Sequence, residues 1–297
     1  MIWILFTVGA VCFQTLRNAM QSQLSGSVDV LGVTLSRFLL APPIACVYLL
    51  LVSHVEHVDL YVVSHSVTFD FIAIVILAAL FQIAATSLMV TLFKQKNFAI
   101  GAGLAKSEAL VAGVLGTLFF SSYLSPLGWL GIIVGAIAVI ILSVGKHAHT
   151  KRISARTLLL GLACGVCFAS TSLLVREATL LLNISTLVAA AWTLIWVLGL
   201  QSFGLVIFLA IKKPNVLRQL LLHWKRVVLI SVLSCLGSIC IFTAVALEQV
   251  AYVKTLAQLE VLLTLLVSHY LLNDKVTKRE IVGSLMIGIA AIMVMWV

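Results

Sequence analysis

Charge is what this sequence has least of. Asp, Glu, Lys and Arg make up 10% of its 297 residues, 62% are hydrophobic, and the mean hydropathy is +1.20. A soluble domain carries roughly a quarter of its residues as charge to cover its surface, so a soluble globular protein is excluded. The signatures of bound-metal and covalent chemistry are missing as well. There is no His-Glu-x-x-His, no paired Asp-rich motif, no Gly-x-Ser-x-Gly and no phosphate loop, so an enzyme, a metal centre and a cofactor are not expected. His54, Glu56 and His57 are read as loop residues. A disulfide framework is not expected either, because Cys12, Cys46, Cys164, Cys167, Cys235 and Cys240 all fall inside apolar runs. The Cys164-x-x-Cys167 pair reads as small-residue packing. No basic leader precedes the first apolar run, which is therefore read as a retained helix and not a signal peptide.

What is present is a series of apolar segments, each near the ~20 residues that a helix needs to cross a hydrocarbon core about 30 Å thick. Ten fit, with almost nothing left over. They are placed at about residues 1–24, 29–52, 70–93, 98–120, 126–144, 157–179, 184–211, 227–247, 250–272 and from 281 to 293. Pro42 and Pro43 predict a kink in the second. The +9 net charge would suggest nucleic acid in a soluble protein, but here the basic residues sit between helices, the ordinary topological signal, so no nucleic acid is expected. Loops 3-4, 5-6, 7-8 and 9-10 hold 2, 4, 5 and 3 Lys plus Arg, whereas loops 2-3 and 4-5 hold none. By the positive-inside rule both termini lie on the outer face. The basic loop over 212–226 also looks amphipathic, which suits an anionic membrane surface.

The chain repeats itself. A shift of 152 positions carries Thr91, Ala99, Leu104, Ala105, Glu108, Leu110 and Gly131 onto Thr243, Ala251, Leu256, Ala257, Glu260, Leu262 and Gly283, and Val11-Cys12-Phe13 recurs as Val166-Cys167-Phe168. The expected fold is therefore an all-α integral membrane protein of ten transmembrane helices, built as two inverted five-helix repeats over residues 1–145 and 146–297. An odd number of helices per repeat inverts the second half, and that design places substrate near the midplane between the halves.

Polar residues inside the apolar segments mark the candidate site. A charge at that depth costs roughly 2.5–3.5 kcal/mol on insertion scales, so each needs a reason. Gln14, Arg17, Asn18 and Gln21 share one face of the first helix. Arg37 lies two turns into the second, Lys106 and Glu108 are in the fourth, and Lys254, Gln258 and Glu260 are in the ninth. On a continuous helix Glu260 lies about 200° from Gln258, so all three could not face one ligand. The two readings left open are mutual neutralisation that holds helices in register and a wet cavity that contacts substrate or a proton. In the second, Glu→Gln at position 108 or 260 is expected to stop proton-coupled transport with folding and ligand binding largely intact. Four cations against two acids leave two positive charges over, which favours an anionic or zwitterionic partner gripped by Arg17. The competing account is that Arg37 and one lysine reach the interface.

Two five-helix units, together with Leu271-Leu272-Asn273-Asp274-Lys275-Val276-Thr277 before Gly283 and Phe120-Ser121-Ser122-Tyr123-Leu124-Ser125 before Gly131, resemble the EamA-type branch of the drug/metabolite transporter superfamily. The resemblance covers nearly the whole chain. Where that family often has proline in helices 4 and 9, this sequence has Glu108-Ala109 and Glu260-Val261. It implies a secondary active transporter in a bacterial inner membrane, exporting a small metabolite across the lipid bilayer, with protons as a candidate coupling ion. The alternatives are a non-transporting membrane partner of an envelope complex and an intramembrane lipid-modifying enzyme.

Overall fold

The computed structural model describes residues 1–94, 105–144, 155–263 and 278–296, and every regular element among them is helical. In chain order these are α1 (Ile2–Leu24), α2 (Val30–Phe38), α3 (Ala41–Val55), α4 (Leu60–His65), α5 (Phe69–Phe93), α6 (Glu108–Phe119) and α7 (Pro126–Val144). They are followed by α8 (Ala155–Leu181), α9 (Thr186–Lys212), α10 (Pro214–Leu222), α11 (Trp224–Leu247), α12 (Val250–Leu256) and α13 (Lys278–Met295). Among the described residues six spans are long and apolar enough to cross a membrane: α1, α2 with α3, α5, α8, α9 and α11. Shorter apolar stretches make up α6 and most of α7 and α13. The chain is thus an all-helical, multi-pass membrane protein.

Helices pair across the two halves of the sequence. The main partners are α1 with α11, α5 with α8, α3 with α9, α6 with both α12 and α8, and α7 with α13. Small residues permit the closest of these approaches, as membrane helix packing requires. A Cβ at Gly131 would lie 3.0 Å from Val294 and 3.3 Å from the Ala290 carbonyl, and Gly135 leaves room for the Gln258 amide. Cys164 is buried and donates its thiol to the Ala85 carbonyl at 3.3 Å, so it does join α8 to α5 by packing.

The second expected helix is interrupted at Leu39 and Leu40, just before the prolines that predicted a kink. Proline cannot supply the amide hydrogens that a continuous helix would use at 42 and 43, and its ring disfavours helical geometry just before it. The helix accordingly ends at Phe38, and α3 restarts at Ala41 with proline in its first turn. Neighbouring helices take up the released backbone groups. Ser231 Oγ donates to Ser36 O at 2.6 Å and accepts from Leu40 N at 3.3 Å, Ser202 Oγ donates to Leu39 O at 3.4 Å, and Cys235 Sγ donates to Ala41 O at 3.4 Å.

Two loops hold more structure than expected. Asp59 caps the short α4 by accepting from Tyr61 N at 2.9 Å, and Val63 is buried. The basic stretch after α9 forms α10, which buries Val216 and Leu220 against Gly32 and leaves Leu221 and Leu222 exposed. Loop contacts separate into two ends. At one, Lys213 meets Asp29 at 3.3 Å and Lys94 Nζ donates to Val28 O at 2.8 Å. At the other, Ser185 Oγ donates to Glu56 at 2.7 Å, and Trp3, Tyr123, Gln249 and Met295 share one cleft.

Several expectations lie outside the described residues: the first turns of the fourth helix over 98–104, the loop over 145–154, the end of the ninth helix over 264–272, and the Leu271 to Thr277 motif.

Candidate functional site

Both helices that carry the paired acids are interrupted beside them. In the ninth segment α12 ends at Leu256, Gln258 N donates to Thr255 O at 3.1 Å, and Glu260 N donates to Ala257 O at 3.1 Å, a tightening from the α pattern to i→i−3 bonds. The chain is helical again over 259–263. In the fourth segment Ala105 is helical, Lys106 and Ser107 turn, and α6 begins at Glu108. A tight turn within a helix often marks a hinge. Glycine lets α8 press against the first of these turns. A Cβ at Gly165 would come within 2.7 Å of Ser107 Oγ and 3.2 Å of the Ala105 carbonyl. The interruption also removes the premise of the continuous-helix argument, because Lys254 and Glu260 both reach partners in the first half of the chain.

Those partners form two crossed ion pairs. Lys106 Nζ lies 2.5 Å from Glu260 Oε2, and Lys254 Nζ lies 3.1 Å from Glu108 Oε2. Each half thus supplies one lysine and one glutamate, and each acid answers the lysine of the other half. Asn18 Nδ2 donates to Glu260 Oε1 at 2.6 Å, which ties α1 to the same acid. Arg17 donates through Nε and Nη2 to Asn18 Oδ1 at 3.1 and 2.8 Å. All four members of the ion pairs are at least nine-tenths buried except Lys106, which is slightly more open.

Among the described residues, neither arginine has such a carboxylate. Arg17 is 3% exposed and its Nη1 has no hydrogen-bond partner. Arg37 is 4% exposed, donates through Nη1 to Thr86 Oγ1 at 3.0 Å, lies 5.4 and 5.9 Å from the Phe38 and Phe168 ring centroids, and leaves Nε without a partner. Arg37 and Lys254 are buried within the protein and Lys106 nearly so, which weighs against the account in which two of the four cations reach the interface. Among the described residues, the two positive charges left over after these pairs belong to the arginines.

Not every expected residue joins the cluster. Gln14 packs its Cγ toward Gly237 of α11, and Gln21 donates to the Val33 carbonyl at 3.2 Å. Gln258 is buried toward α7 beside Gly135, and neither of its amide atoms has a partner. Thr86, Phe168 and Ser107 were not singled out as site residues. Thr86 was visible as a polar residue in the third helix and Phe168 as part of the repeated Val-Cys-Phe triplet, but nothing in the sequence placed either beside Arg37. The pairing also changes what Glu→Gln should do. Removing either carboxylate strands a buried lysine, so intact folding is no longer the expected result.

A cleft of about 480 Å³ opens at one end of the helices, lined by Trp3, Tyr123, Ser125, Glu248, Gln249 and Tyr252 among others and by none of the charged residues of the cluster. Tyr252 lies two residues before Lys254, and its hydroxyl accepts from Ser125 N at 2.8 Å. Arg176 Nη1 donates to the Val245 and Glu248 carbonyls at 2.6 and 2.5 Å where α11 ends.

One solved structure, described only as "Crystal structure of protein", superimposes with a TM-score of 0.70 at 14% identity over 98% of this chain and 95% of its own. At that identity the likeness is one of fold alone, and it extends over both halves. No curated protein matches the sequence. The model of the EamA-like transporter family matches residues 155–296, from the start of α8 to the end of α13. Through this second half, the chain is similar to the EamA-like transporter family.

Proposed function

We propose that the protein is a secondary active transporter that carries a small organic anion or zwitterion, amino-acid-like in size, outward across a bacterial plasma membrane by alternating access. The observation that carries this reading is the pair of crossed salt bridges at two helix interruptions, Lys106 with Glu260 and Lys254 with Glu108, beside arginines that lack a counter-ion. Intramembrane charges of this kind mark substrate or ion pathways, and interrupted helices at a repeat interface are where such carriers bind.

Helix pairing supports the two inverted repeats, residues 1–145 and 146–297. Exchanging the first five segments with the second five turns the pair α1 with α11 into α8 with α5, and it leaves α3 with α9, α6 with α12, and α7 with α13 unchanged. Glu108 and Glu260 are the candidate proton carriers, since each can give up a lysine and accept a proton as the halves separate. The direct test is transport in sealed proteoliposomes under an imposed pH gradient. Uptake or counterflow of small organic anions or zwitterions is expected, with lipophilic cations excluded. A purified protein that moves none of them in either direction is a membrane partner and not a carrier.

Orientation follows from charge. The basic loops hold 14 Lys and Arg against none in loops 2-3 and 4-5, so the cleft and both termini face outward. A C-terminal reporter active only in the cytoplasm is expected to stay dark, and a bright signal reverses the assignment.

A further inference from the structure

We propose that Arg17 and Arg37 act together as a two-guanidinium receptor, so that the preferred ligand is a dianion: a dicarboxylate or a phosphate monoester. This rests on the transporter reading above and narrows its substrate class.

The argument is one of charge balance within a single buried cluster. Arg17 and Arg37 each lie within electrostatic reach of Glu108 and Glu260, Arg37 also of Arg17, and the glutamates are bonded to Lys106 and Lys254. The two lysines are matched one to one by the two glutamates. Among the described residues no ion pair includes either arginine, and each keeps a buried nitrogen without a partner, Nη1 of Arg17 and Nε of Arg37. Four helices converge on them: α1 and α2 carry the arginines, α5 supplies Thr86, and α8 supplies Phe168. A neutral zwitterion leaves the surplus of two unchanged, a monocarboxylate leaves one, and a dianion cancels it. Guanidinium forks hold carboxylate or phosphate oxygens in pairs, and the Phe38 and Phe168 faces keep water from competing for Arg37. The proximity of two like charges has a further consequence. Their repulsion works against the ligand-free state and is relieved only by an anion between them, which gives a carrier differential affinity for the loaded form.

The experiment is thermal unfolding of the full-length purified protein against four probes of similar size: succinate, butyrate, glycerol 3-phosphate and alanine. A ligand that binds only the native state raises the midpoint in proportion to its occupancy. Succinate or glycerol 3-phosphate is expected to bind at least tenfold tighter than butyrate and alanine, and whichever of the two is tighter identifies the anionic group. In Arg37→Gln the dianion should fall to the level of butyrate, and Arg37→Lys should keep part of the preference. Without ligand, Arg37→Gln is expected to unfold at the wild-type temperature or above it, because it removes an unmatched charge and retains a donor for Thr86. A lower ligand-free midpoint makes Arg37 a structural residue and overturns its role, as does a dianion preference that survives in Arg37→Gln. Butyrate or alanine binding as tightly as the better dianion overturns this inference and leaves the anion carrier standing. Stabilisation by none of the four overturns both.

Discussion

Glu260→Gln is expected to lose about 3–5 kcal/mol of stability as well as transport, and the partner change Lys106→Met is expected to recover most of the stability but none of the transport. The loss follows from leaving one member of a buried pair without its counter-charge. In the wild type Glu260 takes Lys106 on Oε2 at 2.5 Å and Asn18 on Oε1 at 2.6 Å. Glutamine can still accept from Asn18, so that contact survives. Lys106 is left as a third unmatched cation beside Arg17 and Arg37. Removing it as well returns the cluster to its original net charge, and apolar replacement of a whole buried pair is often neutral or stabilising. Chemical unfolding of the two single variants and the double variant measures the coupling, with proton-driven transport measured in parallel. Wild-type stability in Glu260→Gln alone would show that the pair does not stabilise the fold. Recovered transport in the double variant would show that the pair only holds helices together and that Glu260 carries no proton.

The second large effect is expected at Arg17. Arg17→Gln should reduce transport of anionic and zwitterionic substrates by about 10- to 100-fold, the range that corresponds to one charge-assisted hydrogen bond of ~1.5–3 kcal/mol. Glutamine keeps a donor for Asn18 Oδ1, which Arg17 now holds through Nε and Nη2, so the arrangement of α1 around Glu260 should persist. What disappears is the Nη1 end, the part that has no protein partner. The loss should therefore appear in substrate affinity with the protein's yield and unfolding midpoint unchanged. Anionic and zwitterionic substrates carried as well as before would remove Arg17 from the site. A fall in midpoint would show instead that its main role is to hold α1.

These two experiments separate what crossed pairs and surplus charges do. The lysine–glutamate pairs join the two halves of the chain, so under the proposed alternating access they are the contacts expected to open. The arginines are carried by α1 and α2 in the first half only. The second half has Ser172 where the repeat offset places Arg17, and that asymmetry gives the cluster its net charge.

The sequence by itself determined the class of fold, the segments and the inventory of buried charges. Hydrophobic runs of membrane length have one solution in lipid, because each must satisfy its own backbone, so α1, α5, α7, α8, α9 and α11 were legible to within a few residues. The scarcity of ions made each one conspicuous, and counting four cations against two acids gave the surplus before any contact was known. Tertiary structure alone decided which charges meet. The glutamates answer lysines about 150 residues away in the other half, and no local period encodes that choice. It also decided where helices break. Pro42 and Pro43 announced one interruption, but the turns at Lys106 and Gln258 carry neither proline nor glycine. They arise where packing and ion pairing between halves outweigh the helix's own hydrogen bonds. Gly165, Gly131 and Gly135 show the same limit: the sequence shows that they are small, and only the neighbouring helix shows what they make room for.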